Sequence, residues 1–412
     1  MAGLPEGYVD RTDLAWAAKS ALLLQAPIHR WFTFPHSYSQ TLVETVIKEW
    51  NLRPADRVCD PFVGAGTTLV VAKDHGISAI GIDVSPLSVL VSRVKVTDYR
   101  AETLEAEWRR VRRLLPPTAL PAIPAGMPLV RRAFTRTAWN WLMALRGVIS
   151  EIERREVREF FELAYLKAMR QVCRAQSDGG WLRWTRKRPS GNDLPQRMDA
   201  VVASMVSDIR AVGSRRTRQG IWRACKGDAR ALPNGVREIS AVICSPPYPN
   251  RHDYSRVFAP ELLLAFCDED GLKRLRYEAF RSHVEAQPPE YHLDGYQPPE
   301  PIARALKTLR NAPVTDRRVR PMIQGYFEDI FLMLKALQEC LIPGARLAFV
   351  VGNVRHAGVM VEVDEGLAEI GRRLSYRHDG TWVIRCRGNS AQQMGLFGRA
   401  PARESVVMLS WR

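Results

Sequence analysis

The chain has 412 residues, 46% hydrophobic and 25% charged, the profile of an ordinary globular protein with one large core or two modest ones. No apolar run approaches the roughly 20 residues of a membrane span, and the N-terminus lacks a charged region ahead of an apolar one, so neither a membrane anchor nor a signal peptide is expected. The net charge of +16 and pI near 9.8 exceed what solubility requires and point to a polyanionic partner, most simply nucleic acid. Seven scattered cysteines without a C-x-x-C pair fit the reduced thiols of a cytoplasmic protein, and eight histidines without a metal-ligand pattern give no reason to expect a metal.

In chain order, Leu14 to Leu24 reads as amphipathic. Val58 to Phe62 is predicted as the first strand of the α/β part. It runs through Asp60 and Pro61 into the turn Val63-Gly64-Ala65-Gly66-Thr67-Thr68, with a helix over Thr67 to His75. A second strand follows at Ser78 to Asp83, then a helix over Leu87 to Val94. Between residues 97 and 220 this rhythm stops. Pro116, Pro117, Pro121, Pro124 and Pro128 mark a loop, Arg132 to Arg174 holds one or two long amphipathic helices, and Pro189 to Pro195 forms another loop. The stretch reads as a mainly helical insertion and a candidate target-recognition region.

That insertion carries much of the charge. Residues 101–220 hold 23 Lys and Arg against 12 Asp and Glu, a net of +11. In Trp181-Leu182-Arg183-Trp184-Thr185-Arg186-Lys187-Arg188 the tryptophans interleave with cations, which suits phosphate contact combined with stacking on a base or sugar. Arg183, Trp184, Arg186, Lys187 and Arg188 are therefore candidate nucleic-acid contacts, followed by the run Arg215-Arg216-Thr217-Arg218.

Strands resume at Trp222 to Cys225 and at Ile239 to Cys244, the second closing into the turn Ser245-Pro246-Pro247-Tyr248. Residues 249–320 form a second insertion, Pro-rich over 284–301. Its Arg251 and Arg256 directly follow the turn and are further candidate nucleic-acid contacts, while Leu262 to Phe266 is too short to assign. A strong helix over Met322 to Leu341 ends at Pro343-Gly344 and leads into a buried strand, Arg346 to Val351. Later strands are expected at Thr381 to Arg385 and Ser405 to Trp411. Strands alternating with helices predict a parallel α/β sheet with helices on both faces. Its domain divides into residues 1–96 and 221–412 around the insertion at 97–220.

In such a sheet the ligand lies beyond the carboxyl ends of the strands. Gly64 and Gly66 allow a sharp turn and close backbone approach, and Thr67 and Thr68 offer hydroxyls and amides at a helix N-terminus, which favours a carboxylate. A dinucleotide fingerprint would need Gly where Leu69 stands. Asp83, ending the second strand, is placed to take both hydroxyls of a ribose.

Together the Asp60-to-Thr68 segment and Ser245-Pro246-Pro247-Tyr248 resemble the two signature motifs of the S-adenosylmethionine-dependent DNA amino-methyltransferases. Further segments resemble that family in order over roughly residues 30–95 and 220–412: Phe34-Pro35-His36-Ser37-Tyr38-Ser39, Gly227-Asp228-Ala229-Arg230, Pro321 to Phe327, Val351-Gly352-Asn353 and Arg403 to Val407. The resemblance implies a Rossmann-like class I methyltransferase fold, S-adenosylmethionine as cofactor and double-stranded DNA as partner, with a cognate restriction endonuclease as a candidate further partner. It implies cofactor contacts from Tyr38, Ser39, Asp60, Pro61, Phe62, Gly64, Gly66, Thr67, Thr68, Asp83 and Asp228, the last on the adenine amine, with residues 321–327 packing on the adenine ring.

The exocyclic amine of a base is a poor nucleophile, its lone pair delocalised into the ring. Hydrogen bonds to the Ser245 hydroxyl and the Pro246 carbonyl would aim that lone pair at the methyl, and Pro246 and Pro247 fix the carbonyl while adding no competing N–H. Tyr248 would stack on a base turned out of the helix. Transfer is then an in-line displacement governed by positioning. Ser in the first motif position favours cytosine N4, with adenine N6 as the alternative, and the lack of a Pro-Cys dipeptide excludes carbon-5 methylation. A non-catalytic basic binding module is the rival of another class. It explains the charge, but not the combination of Gly turn, Asp83 and Ser245.

Overall fold

The computed structural model describes residues 4–17, 19–35, 37–115, 122–178, 180–186, 189, 191–213, 219–287, 291–314, 316–387 and 401–412. Its strands are β1 Tyr8–Asp10, β2 Arg57–Asp60, β3 Ser78–Asp83, β4 Ala175–Asp178, β5 Trp181–Trp184, β6 Trp222–Lys226, β7 Ile239–Cys244, β8 Leu341–Gly352, β9 Val354–His356, β10 Val359–Val361, β11 Arg377–Arg387 and β12 Ala402–Ser410. Eight of them build one sheet in the order β1-β11-β12-β8-β7-β2-β3-β6. The central strands β2 and β7 are apolar runs buried on both faces (Val58, Cys59, Ala241, Val242, Ile243, Cys244), as a parallel strand covered on both sides requires.

The expected parallel sheet holds for seven strands. The exception is β12, antiparallel to both β8 and β11. An antiparallel pairing of β11 with β12 needs no crossover connection between them. β1 was not foreseen; three residues long, it lengthens the sheet by pairing parallel with β11, Tyr8 opposite Thr381.

The order reverses between β2 and β7, each of which sends its next crossover to a different side. One face is covered by helices Gln40–Glu49, Thr67–Asp74 and Pro86–Val96, the other by Val319–Gln338, Val363–Arg373 and Glu300–Asn311. The first insertion is not a separate body. Its helices Ala101–Arg113, Arg136–Ser150, Arg155–Val172 and Leu194–Val212 share one continuous apolar core with Leu87, Val91 and Val94. Phe160 meets Trp31 edge-on at 5.7 Å, and Phe161 stacks on Trp108 at 5.9 Å. The tryptophan-and-arginine segment falls in a β4–β5 hairpin, where a charge cluster alone gave no strand signal.

A partly buried ion pair joins the two insertions. Arg170 Nε and Nη2 donate to Glu261 Oε1 and Oε2 at 2.6 and 2.5 Å, and Arg170 also reaches the carbonyls of Val257 (3.0 Å) and Ala175 (3.2 Å). Glu261 is fully buried; burial pushes its carboxyl up while Arg170 draws it back. At the hairpin turn, a Cβ on Gly180 would come within 3.2 Å of His252 Nδ1, so the turn sits against the chain that follows Tyr248. Removing one member of the pair strands the other's charge. Arg170→Met is expected to lower stability by about 3–5 kcal/mol, and Arg170→Met with Glu261→Leu to recover much of the loss in denaturant titrations. Equal losses in the single and double variants would show that the pair does not join the insertions.

Candidate active site

A cavity opens at the carboxyl ends of β2, β3, β6 and β7. The N-terminal segment contributes Phe34, Pro35, Ser37 and Tyr38; the Gly turn contributes Pro61 to Ala65 and Thr67; the next strand ends contribute Asp83 to Ser85, Ser88, and Gly227 to Ala229. Opposite stand Ser245 to Tyr248. The roof comes from the second insertion, with Asn250, His252 to Ser255, Phe258, Phe280, Ser282 and His283. Two segments about 180 residues apart in the chain thus face one space, because β2 and β7 are hydrogen-bonded neighbours.

Of the expected cofactor residues, Tyr38, Pro61, Phe62, Gly64, Thr67, Asp83 and Asp228 lie on the wall, but Ser39, Asp60, Gly66 and Thr68 stand behind it. Ser39 Oγ donates to the Ala17 carbonyl at 2.6 Å. Gly66, at φ 78°, opens the helix Thr67–Asp74 where a Cβ would lie 2.9 Å from Ser92 Oγ, so it serves helix packing. Asp60 accepts from the Phe62 amide at 3.0 Å and from the Tyr38 hydroxyl at 3.2 Å. The same hydroxyl pairs with Thr68 Oγ1, which donates to the Ile243 carbonyl at 3.2 Å. Burial pushes the Asp60 carboxyl up to about 7 against these hydrogen bonds.

Gly64, at φ 45°, donates its amide to Asp83 Oδ2 at 3.0 Å, and Ser85 donates to Oδ1 at 2.9 Å. The Ser88 side chain bonds the same carboxylate, which leaves it room for one further donor from a ligand. Lys95, which the motifs do not name, is buried and donates to the carbonyls of Phe32 (2.6 Å) and Ala65 (2.8 Å), stapling the N-terminal segment to the Gly turn. Burial lowers its ammonium to about 7. Its signal is a lysine set between Val94 and Val96 at the end of the helix Pro86–Val96.

Asp228, expected on the adenine amine, lies on the cavity wall but does not stand free there. Instead Arg230 grips it, with Nε at 3.0 Å from Oδ1 and Nη2 at 2.7 Å from Oδ2, and Arg230 in turn meets Asp329 at 3.3 Å. Residues 321–327 were expected on the adenine ring, but none lines the cavity: they lie in the helix Val319–Gln338, and fully buried Tyr326 backs Phe280 edge-on at 5.6 Å. Phe280, itself edge-on to Phe62 at 5.3 Å, forms the aromatic wall.

At the Ser-Pro-Pro-Tyr turn, Ser245 Oγ lies 3.5 Å from the Tyr248 hydroxyl, which donates to Glu404 Oε1 of β12 at 3.3 Å. Glu404 is held by Arg385 of β11. The Tyr248 ring rests on Gly352, where a Cβ would come within 2.9 Å of it. A ring nitrogen of His356 bonds the Pro249 carbonyl at 2.8 Å, so the turn is fixed at both ends.

The expected nucleic-acid residues divide. Arg183 and Arg186 are exposed, whereas Trp184 is half-buried against the core with Arg132 over its ring at 4.0 Å, so that ring face is not free to stack. Lys187, Arg188 and the run at 215–218 lie outside the described residues. Arg251 (φ 72°, 3.5 Å from Asp316) and Arg256 (3.3 Å from Asp253, and paired with Glu285) border a cleft beside the cavity mouth. Among the described residues no helix is long and apolar enough to cross a membrane, and no cluster of His, Cys, Asp and Glu could hold a metal ion.

Residues 16–90 match a family model described as DNA methylase. The chain is 27% identical to the Type II methyltransferase M.BsoBI of Geobacillus stearothermophilus, over 92% of this chain and 85% of that one. It is 26% identical to the Type II methyltransferase M.AvaI of Nostoc sp., over 94% of this chain and 86% of the relative. A shorter match to the Type II methyltransferase M.MjaII of Methanocaldococcus jannaschii, 34% identical, spans 23% of this chain and 17% of that one.

The Asp60 carboxyl gives a pH test. Folded it titrates near 7, against a reference of 3.8, so between those values the native state holds the extra proton. Its contribution is fully present below about 4 and lost as pH rises through about 7. Asp60→Asn should therefore show a shallower fall in stability over that range in denaturant titrations; parallel curves would exclude Asp60 as the titrating group.

Proposed function

We propose that the chain is an S-adenosylmethionine-dependent DNA amino-methyltransferase that methylates the exocyclic amine of a base turned out of double-stranded DNA, cytosine N4 in the first place. The observation that carries this reading is that the Gly64–Asp83 corner and the Ser245-to-Tyr248 turn wall one cavity, bringing a donor site and an acceptor site face to face. The cavity suits the cofactor. Asp83 offers its carboxylate to a ribose hydroxyl, the Gly64 backbone turns sharply beneath, Thr67 opens a helix whose N-terminus favours a carboxylate, and Phe62 with Phe280 edge-on to it gives an apolar wall for an adenine.

When bound, the cofactor supplies a methyl group on a sulfonium. The protein's part is to hold the amine. The Ser245 hydroxyl oxygen and the Pro246 carbonyl accept its two N–H bonds, and the prolines fix that carbonyl. Tyr248, tied through its hydroxyl to Glu404, offers a fixed ring for the base to stack on. The product amine is cationic and releases its proton to water. Ser245 in the first motif position favours cytosine over adenine.

DNA would lie across the joined insertions, with Arg183, Arg186, Lys187 and Arg188 on phosphates and Arg251 and Arg256 beside the mouth. The likeness to Type II methyltransferases favours a modification role, with a restriction endonuclease as partner.

DNA from cells expressing the protein is expected to carry N4-methylcytosine at one sequence when its modified bases are sequenced. Ser245→Ala and Tyr248→Ala should abolish the mark while keeping cofactor affinity, and Asp83→Ala should weaken that affinity by at least about tenfold, or roughly 1.4 kcal/mol. N6-methyladenine instead would move the reading to adenine, and unmodified DNA from the wild type would refute it.

The phosphate contacts predict steep salt dependence. Replacing Arg183, Arg186, Lys187 and Arg188 with alanine should flatten the log-log slope of DNA affinity by up to about three or four units. An unaltered slope would move the contact to the arginines near the cavity mouth.

A further inference from the structure

His283 lies in the second insertion, outside every motif. It is 5% exposed, lines the cavity together with Ser245 and Tyr248, and its Nδ1 has no hydrogen-bond partner among the described residues. Its place is set by the backbone: the Arg251 amide donates to the Ser282 carbonyl at 3.1 Å, tying this segment to the chain three residues after Tyr248. Three residues earlier, Phe280 meets Phe62 edge-on, so the segment runs from the aromatic wall to the chain just beyond the Ser-Pro-Pro-Tyr turn.

The charges around the imidazole are Asp253, Glu285, Arg256 and Arg276. They largely satisfy one another. Asp253 meets Arg276 at 2.9 Å and Arg256 at 3.3 Å, and Arg256 pairs with Glu285. Burial lowers the imidazole below its ordinary range, so at neutral pH it presents one N–H and one lone pair.

Resting on the function proposed above, we propose that His283 reads the ring edge of the turned-out base. Ser245 and Pro246 take the amine of a cytosine. The next atoms around that edge, N3 and O2, only accept hydrogen bonds, and the imidazole N–H is the donor for them. A uracil or thymine presents an N3–H there and would leave the donor opposed. A neutral ring also keeps positive charge away from N3, where it would draw electron density from the reacting amine.

The test uses a duplex carrying the sequence found modified in cells, and the same duplex with an abasic target position. For the full-length protein, His283→Ala is expected to lower kcat/KM on the intact duplex by at least about tenfold, the value of one lost hydrogen bond to a buried partner. Its affinity for the abasic duplex and for S-adenosylmethionine should match wild type, and His283→Asn, which keeps an N–H donor of similar reach, should recover part of the loss. Wild-type kcat/KM in both variants would overturn the proposal, as would an equal loss of affinity on the abasic duplex. Should His283→Ala not fold, His283→Asn decides: kcat/KM far below wild type with abasic affinity also lost goes against base reading. If the wild type itself transfers no methyl to DNA, the reading of the site as a DNA amino-methyltransferase fails first, and the role of His283 fails with it.

Discussion

The Tyr38 hydroxyl holds the site together. It bonds Asp60 at the end of β2 and Thr68 in the helix after the Gly turn, and Thr68 reaches the carbonyl of Ile243, two residues before Ser245. Three segments distant in sequence are thereby referenced to one buried point. Hydrogen bonds to a charged or strongly polar buried partner contribute about 1.5–3 kcal/mol each, and losing the hydroxyl would leave Asp60 under-satisfied in a site where burial already pushes its carboxyl up. Lys95 adds a second staple from behind, on the carbonyls of Phe32 and Ala65. The cavity is thus formed before any ligand arrives, which lowers the ordering entropy that binding must overcome.

The sheet makes only half of the cavity. The other half is the segment from Asn250 to His283, and the first insertion braces it through the Arg170–Glu261 pair and the Gly180 turn against His252. The exposed arginines of the hairpin and those at the mouth therefore belong to one packed body with the cavity roof. Contact with a polyanion along the hairpin would bear directly on the geometry beside Tyr248.

Much of the sheet was legible because β2, β3, β7 and β8 are short apolar runs punctuated by Gly, Pro or Asp. The direction of β12 was not, since strand sequence carries no sign of parallel or antiparallel pairing. Nor was the β4–β5 hairpin, whose alternation is too short and whose charges dominate the reading. Within the site, spacing named the correct segments but not which side chains face the ligand. Asp60 and Thr68 turn into the scaffold, while Gly64 and Thr67 beside them turn out. Arg230, two residues beyond Asp228, takes over that carboxylate in a way only the fold reveals. Phe280 and His283 sit in a Pro-rich insertion without periodicity, so nothing in their local sequence announces that they roof the cavity.

The most direct measurement is a crystal structure of the full chain with S-adenosylhomocysteine and a duplex bearing its modified sequence. The ribose is expected on Asp83 and the adenine against the wall that Phe62 and Phe280 form, with the sulfur turned toward Tyr248. The target amine should lie within hydrogen-bond reach of Ser245 Oγ and the Pro246 carbonyl, at about 2.7–3.2 Å. A nucleoside ordered elsewhere on the protein, or a target base still stacked in its duplex while the cavity holds the cofactor product alone, would contradict the assignment of donor and acceptor to one shared cavity.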